Sequence, residues 1–132
     1  MQLFTLLLLC FWGVAQGATL EVGKGKTYGT IRQALEAAMA GDTVRIHPGV
    51  YAEGNLTLGK KVTLVGVDYP VLDGRNSDEI ITVTAPGVGI FGLQIQNSGQ
   101  LNTIDLAGIK VLSTNHVRIG NNRMRNCNFA IY

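Results

Sequence analysis

Four side chains in this sequence have the chemistry to hold a soft metal ion: His47, His116, Met124 and Cys127. Thiolate and thioether sulfur suit Cu(I). Met124 and Cys127 stand three apart, a spacing that would share one face of a helix. This segment reads instead as strand and turn. Met124 falls on a core position, where a flexible thioether fills space. His116 follows the loop 113–115 and precedes a strand, as a solvated histidine would; His47 opens a Pro-Gly turn. The residues assign no metal-ligand or cofactor-binding set. A copper site is expected further along the natural chain or at an interface with a partner.

Chemistry on a sugar polymer would need other groups. Glycosidases flank the scissile bond with two carboxylates. Lyases need a base together with neutralisation of the uronate charge. Asp68, Asp78, Glu79 and Asp105 are the outward acids, and they do not recur at a fixed spacing. No paired aspartates appear, so no catalytic residue is assigned. The cations are more suggestive. No acid follows Asp105, whereas Lys110, Arg118, Arg123 and Arg125 all do. Alternation with apolar residues is what a solvated strand face looks like; the sharper expectation is a strip that meets an anionic partner. A net charge of +2 does not by itself imply nucleic-acid binding.

The elements that would position these groups are repeated. The stretch 88–97 returns as 117–126, with Val88, Ile90, Gly92, Ile95 and Asn97 answered by Val117, Ile119, Asn121, Met124 and Asn126. The Gly/Asn exchange is between the residue types that best tolerate positive φ. An earlier copy lies upstream with looser spacing. There Val62, Leu64 and Gly66 match Val88, Ile90 and Gly92, and Val71 and Asp73 match Ile95 and Asn97. A second apolar pair, Leu56 and Leu58, recurs as Ile81 and Val83, then as Ile109 and Val111, and Ile131 answers Ile109 in turn. Each unit therefore holds three short strands with inward residues at i and i+2. Strands this short bury a continuous core only when stacked about 4.8 Å apart. The expected fold is all-β, a parallel β-helix. Asp73, Asn97 and Asn126 are expected to form a structural stack at one bend.

At 132 residues this is one domain by length. Residues 1–17 read as a secretory signal peptide: an apolar run too short to span a bilayer, then Ala15-Gln16-Gly17. Bulky leucines before Cys10 exclude a lipoprotein signal. Cleavage leaves Cys127 as the one cysteine of the segment 18–132, expected to be buried near a turn. The spacing of Ile31, Ala34, Leu35, Ala38 and Met39 predicts an amphipathic helix over 30–40, with Thr30 and Gln33 at capping-box spacing and Gly41 as the stop. Such a helix could cover the N-terminal end of a β-helix, and Met39 would belong to its core stripe. Coils then fill 42–132, with 42–46 as the first strand and Val44 and Ile46 as the forerunners of Val62 and Leu64. The C-terminal end carries no capping pattern, so an N-terminal fragment of a longer protein is expected.

Two segments carry a family resemblance. Tyr28-Gly29-Thr30-Ile31-Arg32-Gln33-Ala34-Leu35-Glu36-Ala37-Ala38, with Gly41-Asp42-Thr43-Val44 and Pro48-Gly49-Val50-Tyr51, resembles the opening segment of many right-handed parallel β-helix proteins, pectin methylesterases and polysaccharide lyases among them. The Gln-Asp and Asp-Phe signatures of the methylesterases are missing. The second is Val62-Thr63-Leu64-Val65-Gly66, Pro70-Val71-Leu72-Asp73-Gly74, Ile81-Thr82-Val83, Gly92-Leu93-Gln94-Ile95-Gln96-Asn97-Ser98-Gly99, Asp105, Ala107-Gly108-Ile109-Lys110-Val111, Asn121-Asn122-Arg123 and Ala130-Ile131-Tyr132. It is similar to the periplasmic NosD-type maturation proteins of nitrous oxide reductase. That resemblance implies a non-catalytic periplasmic protein that acts beside an ABC transporter and with the reductase or a copper chaperone. Copper is the implied cofactor. The alternative is a secreted carbohydrate-active β-helix, of lyase or epimerase type, that binds anionic polysaccharide.

Overall fold

The computed structural model describes residues 17–100 and 105–132; the expected signal peptide therefore lies, but for Gly17, outside the described residues. The described chain forms thirteen short strands and one helix. The strands are Thr19–Val22 (β1), Thr43–Ile46 (β2), Val50–Tyr51 (β3), Leu56–Leu58 (β4), Thr63–Gly66 (β5), Val71–Asp73 (β6) and Ile81–Val83 (β7). They continue with Gly89–Phe91 (β8), Gln94–Gln96 (β9), Ala107–Val111 (β10), Arg118–Gly120 (β11), Arg123–Arg125 (β12) and Phe129–Ile131 (β13). The helix α1 spans Ile31–Ala37.

The strands assemble into three sheets: sheet A in the order β1-β2-β5-β8-β11, sheet B in the order β12-β9-β6-β3, and sheet C in the order β13-β10-β7-β4. Every pairing between named strands is parallel. From β2 onward the chain visits A, B and C in rotation. The result is a mostly β chain with three parallel sheets and one short helix, consistent with a parallel β-helix-like fold.

Register places like residues over like. Leu20, Val44, Leu64, Ile90 and Ile119 form one column on sheet A. Tyr51, Leu72, Ile95 and Met124 form one on sheet B. Leu56, Ile81, Ile109 and Ile131 form one on sheet C. Most of these belong to a single core cluster, with Ile119 and Met124 packed against it. Each fully buried aliphatic side chain contributes about 1.5–3 kcal/mol of transfer free energy.

Two expected registers shift. Val44 lies opposite Leu64 and Ile46 opposite Gly66, where Val62 and Leu64 were the expected partners. The cause is Asp42, which stands where Val62 stands one turn later. Its carboxylate accepts from Ala18 N and Met39 N, both at 2.8 Å. In sheet B, Leu72 and not Val71 lies opposite Ile95, and Asp73 lies opposite Gln96. Adjacent apolar residues at 71 and 72 hide the phase, and a slip of one position exchanges inward and outward faces.

The N-terminal region differs in two further respects. A strand, β1, precedes the helix and pairs along its length with β2, so 42–46 is not the first strand. The helix is shorter than 30–40. Thr30 caps it as expected, its Oγ1 accepting from Gln33 N at 3.1 Å. Ala38 is already extended, with ψ 146°, and Met39 is 73% exposed, outside the core stripe. Two side chains fix this length. Asp42 takes the Met39 N–H, and Lys60 Nζ donates to the carbonyls of Leu35, Glu36 and Ala38 at 3.2, 3.3 and 2.7 Å. A cation there also complements the negative end of the helix. At the other end Glu53 accepts from Ile31 N and Arg32 N at 2.8 and 3.0 Å. Ile31 and Ala34 are buried, and α1 packs against β1 and β2.

Candidate ligand-binding face

Inward residues of sheet B alternate with outward ones, so Val50, Val71, Gln94 and Arg123 align in one outward column. Asp73, Gln96 and Arg125 align in the next. The amides cross-link the columns: Gln94 Nε2 donates to Gln96 Oε1 at 2.8 Å, and Gln96 Nε2 donates to Asp73 Oδ2 at 3.2 Å. Arg125 stands over Gln96 at the exposed end of this row.

The bend between sheets A and B adds an aromatic group. Asp68 and Tyr69 both have φ of 54°, a left-handed conformation that turns the chain sharply ahead of Pro70. Tyr69 is thereby carried across to later turns. Its hydroxyl donates to Asn121 Oδ1 at 2.6 Å, and the Arg123 guanidinium lies 3.7 Å from its ring centroid. Guanidinium stacked on an aromatic face is a cation–π contact.

At the B–C bend stands the expected polar stack. Asn126 Nδ2 donates to Asn97 Oδ1 at 2.9 Å, and Asn97 Nδ2 donates to Asp73 Oδ1 and Oδ2 at 3.2 and 3.3 Å. Asn97 and Asn126 have positive φ, 58° and 47°. The ladder thus ends on a carboxylate. Arg75 N also donates to Asp73 Oδ1 at 2.8 Å. That backbone hydrogen bond, opposed by burial and helped by Gln96 and Asn97, holds the Asp73 carboxyl below its ordinary value.

The four cations do not form one strip: Lys110 lies on sheet C, Arg118 on sheet A, and Arg123 and Arg125 on sheet B. Lys110 is committed elsewhere, 3.3 Å from Glu79 Oε1 and 5.4 Å from the Tyr132 ring centroid. Glu79 Oε1 is buried and faces that ammonium without hydrogen-bond geometry. Arg118 lies over the Phe91 ring at 5.9 Å. Of the remaining acids, Asp68, Asp78 and Asp105 are exposed.

The metal candidates are dispersed. His47 is half-buried at the end of β2, its Nε2 2.5 Å from Glu21 Oε2, while Glu21 Oε1 accepts from Arg45 at 2.9 Å. His47 lowers the Glu21 pKa, chiefly through that hydrogen bond, and Arg45 adds to the effect. His116 is exposed and contacts Asn115 Oδ1. Met124 points inward beneath Ile95, and Cys127 is half-buried, its Sγ 3.4 Å from Arg125 O. Among the described residues no three His, Cys, Asp or Glu side chains group as a metal site.

No family model, curated protein or solved structure matches the chain. Sequence reasoning passed over Tyr69, Gln94 and Gln96 as site residues. The available signal for the glutamines was their spacing, two apart about an inward Ile95. For Tyr69, nothing in the sequence marked its partnership with Asn121 and Arg123, which come two turns later.

Proposed function

We propose that this chain belongs to a non-catalytic periplasmic accessory protein for copper-site assembly in nitrous oxide reductase. It acts with an ABC transporter, on a right-handed parallel β-helix closed at its N-terminal end by α1. One observation carries the reading. The segments that resemble the NosD-type proteins coincide with successive strands and bends: 62–66 holds β5, 70–74 holds β6, Ile81–Val83 is β7, 92–99 holds β9, Ala107–Val111 is β10, and 121–123 leads into β12. The resemblance is thus in phase with the three-sheet rotation and not scattered across it. Buried Ile31 and Ala34 support the capping role of α1. Copper would be held at the interface with the reductase or a copper chaperone, where soft donors from two surfaces meet.

The test is the metal content of the reductase. Periplasm from cells lacking this protein should yield reductase without its copper–sulfur centre, and restoring the full-length protein should recover it. A Cu(I) competition titration on the full-length protein, alone and with its partner, then locates the ligands. Copper-replete reductase from the deficient cells would overturn the proposal.

A further inference from the structure

We propose that removal of the leader after Gly17 sets the new α-ammonium of Ala18 on the buried carboxylate of Asp42, and that this ion pair fixes β1 in the finished protein. The inference rests on the export reading and is independent of the copper reading. Hydrolysis by a leader peptidase of the exporting membrane adds water across one peptide bond. Gly17 leaves with the new carboxylate, and the Ala18 nitrogen gains the protons that make it an ammonium.

Two observations reach the same bond from opposite directions. In the sequence, Ala15-Gln16-Gly17 puts small residues where a leader peptidase reads them, so the cut falls between Gly17 and Ala18. In the structure, the nitrogen of that bond donates to Asp42 Oδ1 at 2.8 Å. Ala18 O accepts from Thr43 N at 2.9 Å, which holds the nitrogen in register with the carboxylate. Gly17 and Ala18 are exposed, so loss of the leader uncovers no core, and β1 starts at the next residue, Thr19.

Asp42 is the one buried acid among the described residues. Its two oxygens accept from Ala18 N and Met39 N, both neutral peptide groups in the uncut chain. The ion pairs among the described residues join Arg45 and His47 to Glu21 and Lys110 to Glu79, and none includes Asp42. The lysines of the neighbouring corner turn elsewhere. Lys60 Nζ donates to the carbonyls at the end of α1, and the Lys61 stem lies against Gly87. A buried charge is costly unless a counter-charge meets it. An ammonium at Ala18 supplies that charge where the N–H already stands, so no rearrangement is required. Cleavage also gives the nitrogen further donors, and Gly41 O borders them: a Cβ on Gly17 would collide with that carbonyl.

The pair would join three elements at one point. Asp42 stands just ahead of β2, meets the end of α1 through Met39 N, and meets the start of β1 through Ala18 N. Stopping α1 takes Oδ2 alone; Oδ1 is turned to the nitrogen of the bond to be cut. β1 is the outermost strand of sheet A, paired along β2. Chain ends fray first, and the ammonium sits at the end of β1 that would fray. Charge on both partners strengthens a hydrogen bond, so the cut chain holds this strand more firmly than the uncut one.

The test uses the full-length protein exported from bacterial cells with its own leader. N-terminal sequencing should return Ala18 as the first residue. At about pH 7 an α-amine has a larger unprotonated fraction than a lysine, so limiting acetic anhydride finds it first. In the folded protein the Ala18 amine should react about tenfold or more slowly than in the same protein unfolded in guanidinium chloride, because a carboxylate in contact favours the charged form. Folded Asp42→Asn should lose that protection. Two alanines inserted between Gly17 and Ala18 give the same reading should Asp42→Asn fail to fold by circular dichroism, since they carry the ammonium outward and leave the Ala18 N–H on Asp42. A chain left uncut, or cut at another bond, would overturn the export reading and the pair together. A terminal Ala18 with an unprotected amine, or with protection unchanged in a folded variant, would overturn the pair alone.

Discussion

Asn122 bonds to Leu93 in the preceding turn: its Oδ1 accepts from Leu93 N at 2.9 Å. The same amide turns its Nδ2 to Ile90 O, also at 2.9 Å. One side chain thus completes two peptide groups where the chain bends from sheet A to sheet B. Leu93 is fully buried, so its N–H has no recourse to water. Asn122→Ala should cost about 1–3 kcal/mol, the range for a buried backbone group left unpaired. Asn122→Asp keeps the acceptor, loses the donor and should fall between. Urea midpoints at constant m report both; equal stability of all three proteins would show the bonds to be dispensable.

The same bend sets a steric rule on glycine. A Cβ at Gly66 would lie 2.1 Å from Gly92 O and 2.7 Å from Pro70 Cδ. Gly92 has φ of 72°, and a Cβ there would lie 2.9 Å from Gly66 O. Asn121, the counterpart of Gly92 in the next turn, shares the positive φ at 53°. Backbone conformation alone would thus let asparagine replace Gly92. The close approach forbids it: Gly92→Asn should cost about 1–3 kcal/mol, and Gly66→Ala should lower the thermal midpoint further still. A Gly92→Asn protein as stable as the parent would refute the packing argument.

Asp73 makes the fold sensitive to acid. Its folded pKa lies below the ordinary value of 3.8, first through the hydrogen bond from Arg75 N. Its contribution is complete above that ordinary value and disappears as pH falls through the lower folded one. Asp73→Asn removes the titration. Stability measured in urea from pH 7 to pH 2 should fall less steeply for the variant, and parallel acid limbs would count against the ladder.

Glu21 contributes to the same limb at another place. Its pKa is lowered from 4.5, first by the hydrogen bond with His47. The sign is the same: the stabilisation is present above pH 4.5 and lost as pH falls through the folded value. Glu21→Gln should flatten the acid limb and loosen β1, whose amides should then exchange faster. Because Glu21 and Asp73 share no hydrogen-bond partner, the double variant should show the sum of the two effects.

Much of this architecture was legible in the repeats. Ile90 over Ile119, Leu64 over Ile90 and Leu56 over Ile81 over Ile109 are registers the apolar spacing gives directly. It misled where a polar residue took an inward slot, at Asp42, and where two apolar residues stood side by side, at 71 and 72. β1 was missed because so short a strand carries a weak pattern, and Met39 was misplaced because apolar period alone does not reveal where Lys60 and Asp42 stop a helix. The candidate face was half visible. Arg123 and Arg125 stood out by charge, but their separation from Lys110 and Arg118 depends on which bend sends each strand to which sheet. That information lies between turns, in pairings such as Tyr69 with Asn121.

The connections between sheets differ in what they hold constant. From A to B they are brief, 47–49, 67–70, 92–93 and 121–122; from B to C the fully described ones run 52–55, 74–80 and 126–128. The second corner varies more than twofold in length, from three residues to seven, while the strands on either side keep their alignment. Loop closure grows only slowly more expensive with length. That corner is therefore the molecule's expansion joint. New segments can be spliced in there, beside the Asp73–Asn97–Asn126 ladder, and the stack of turns will not register the change.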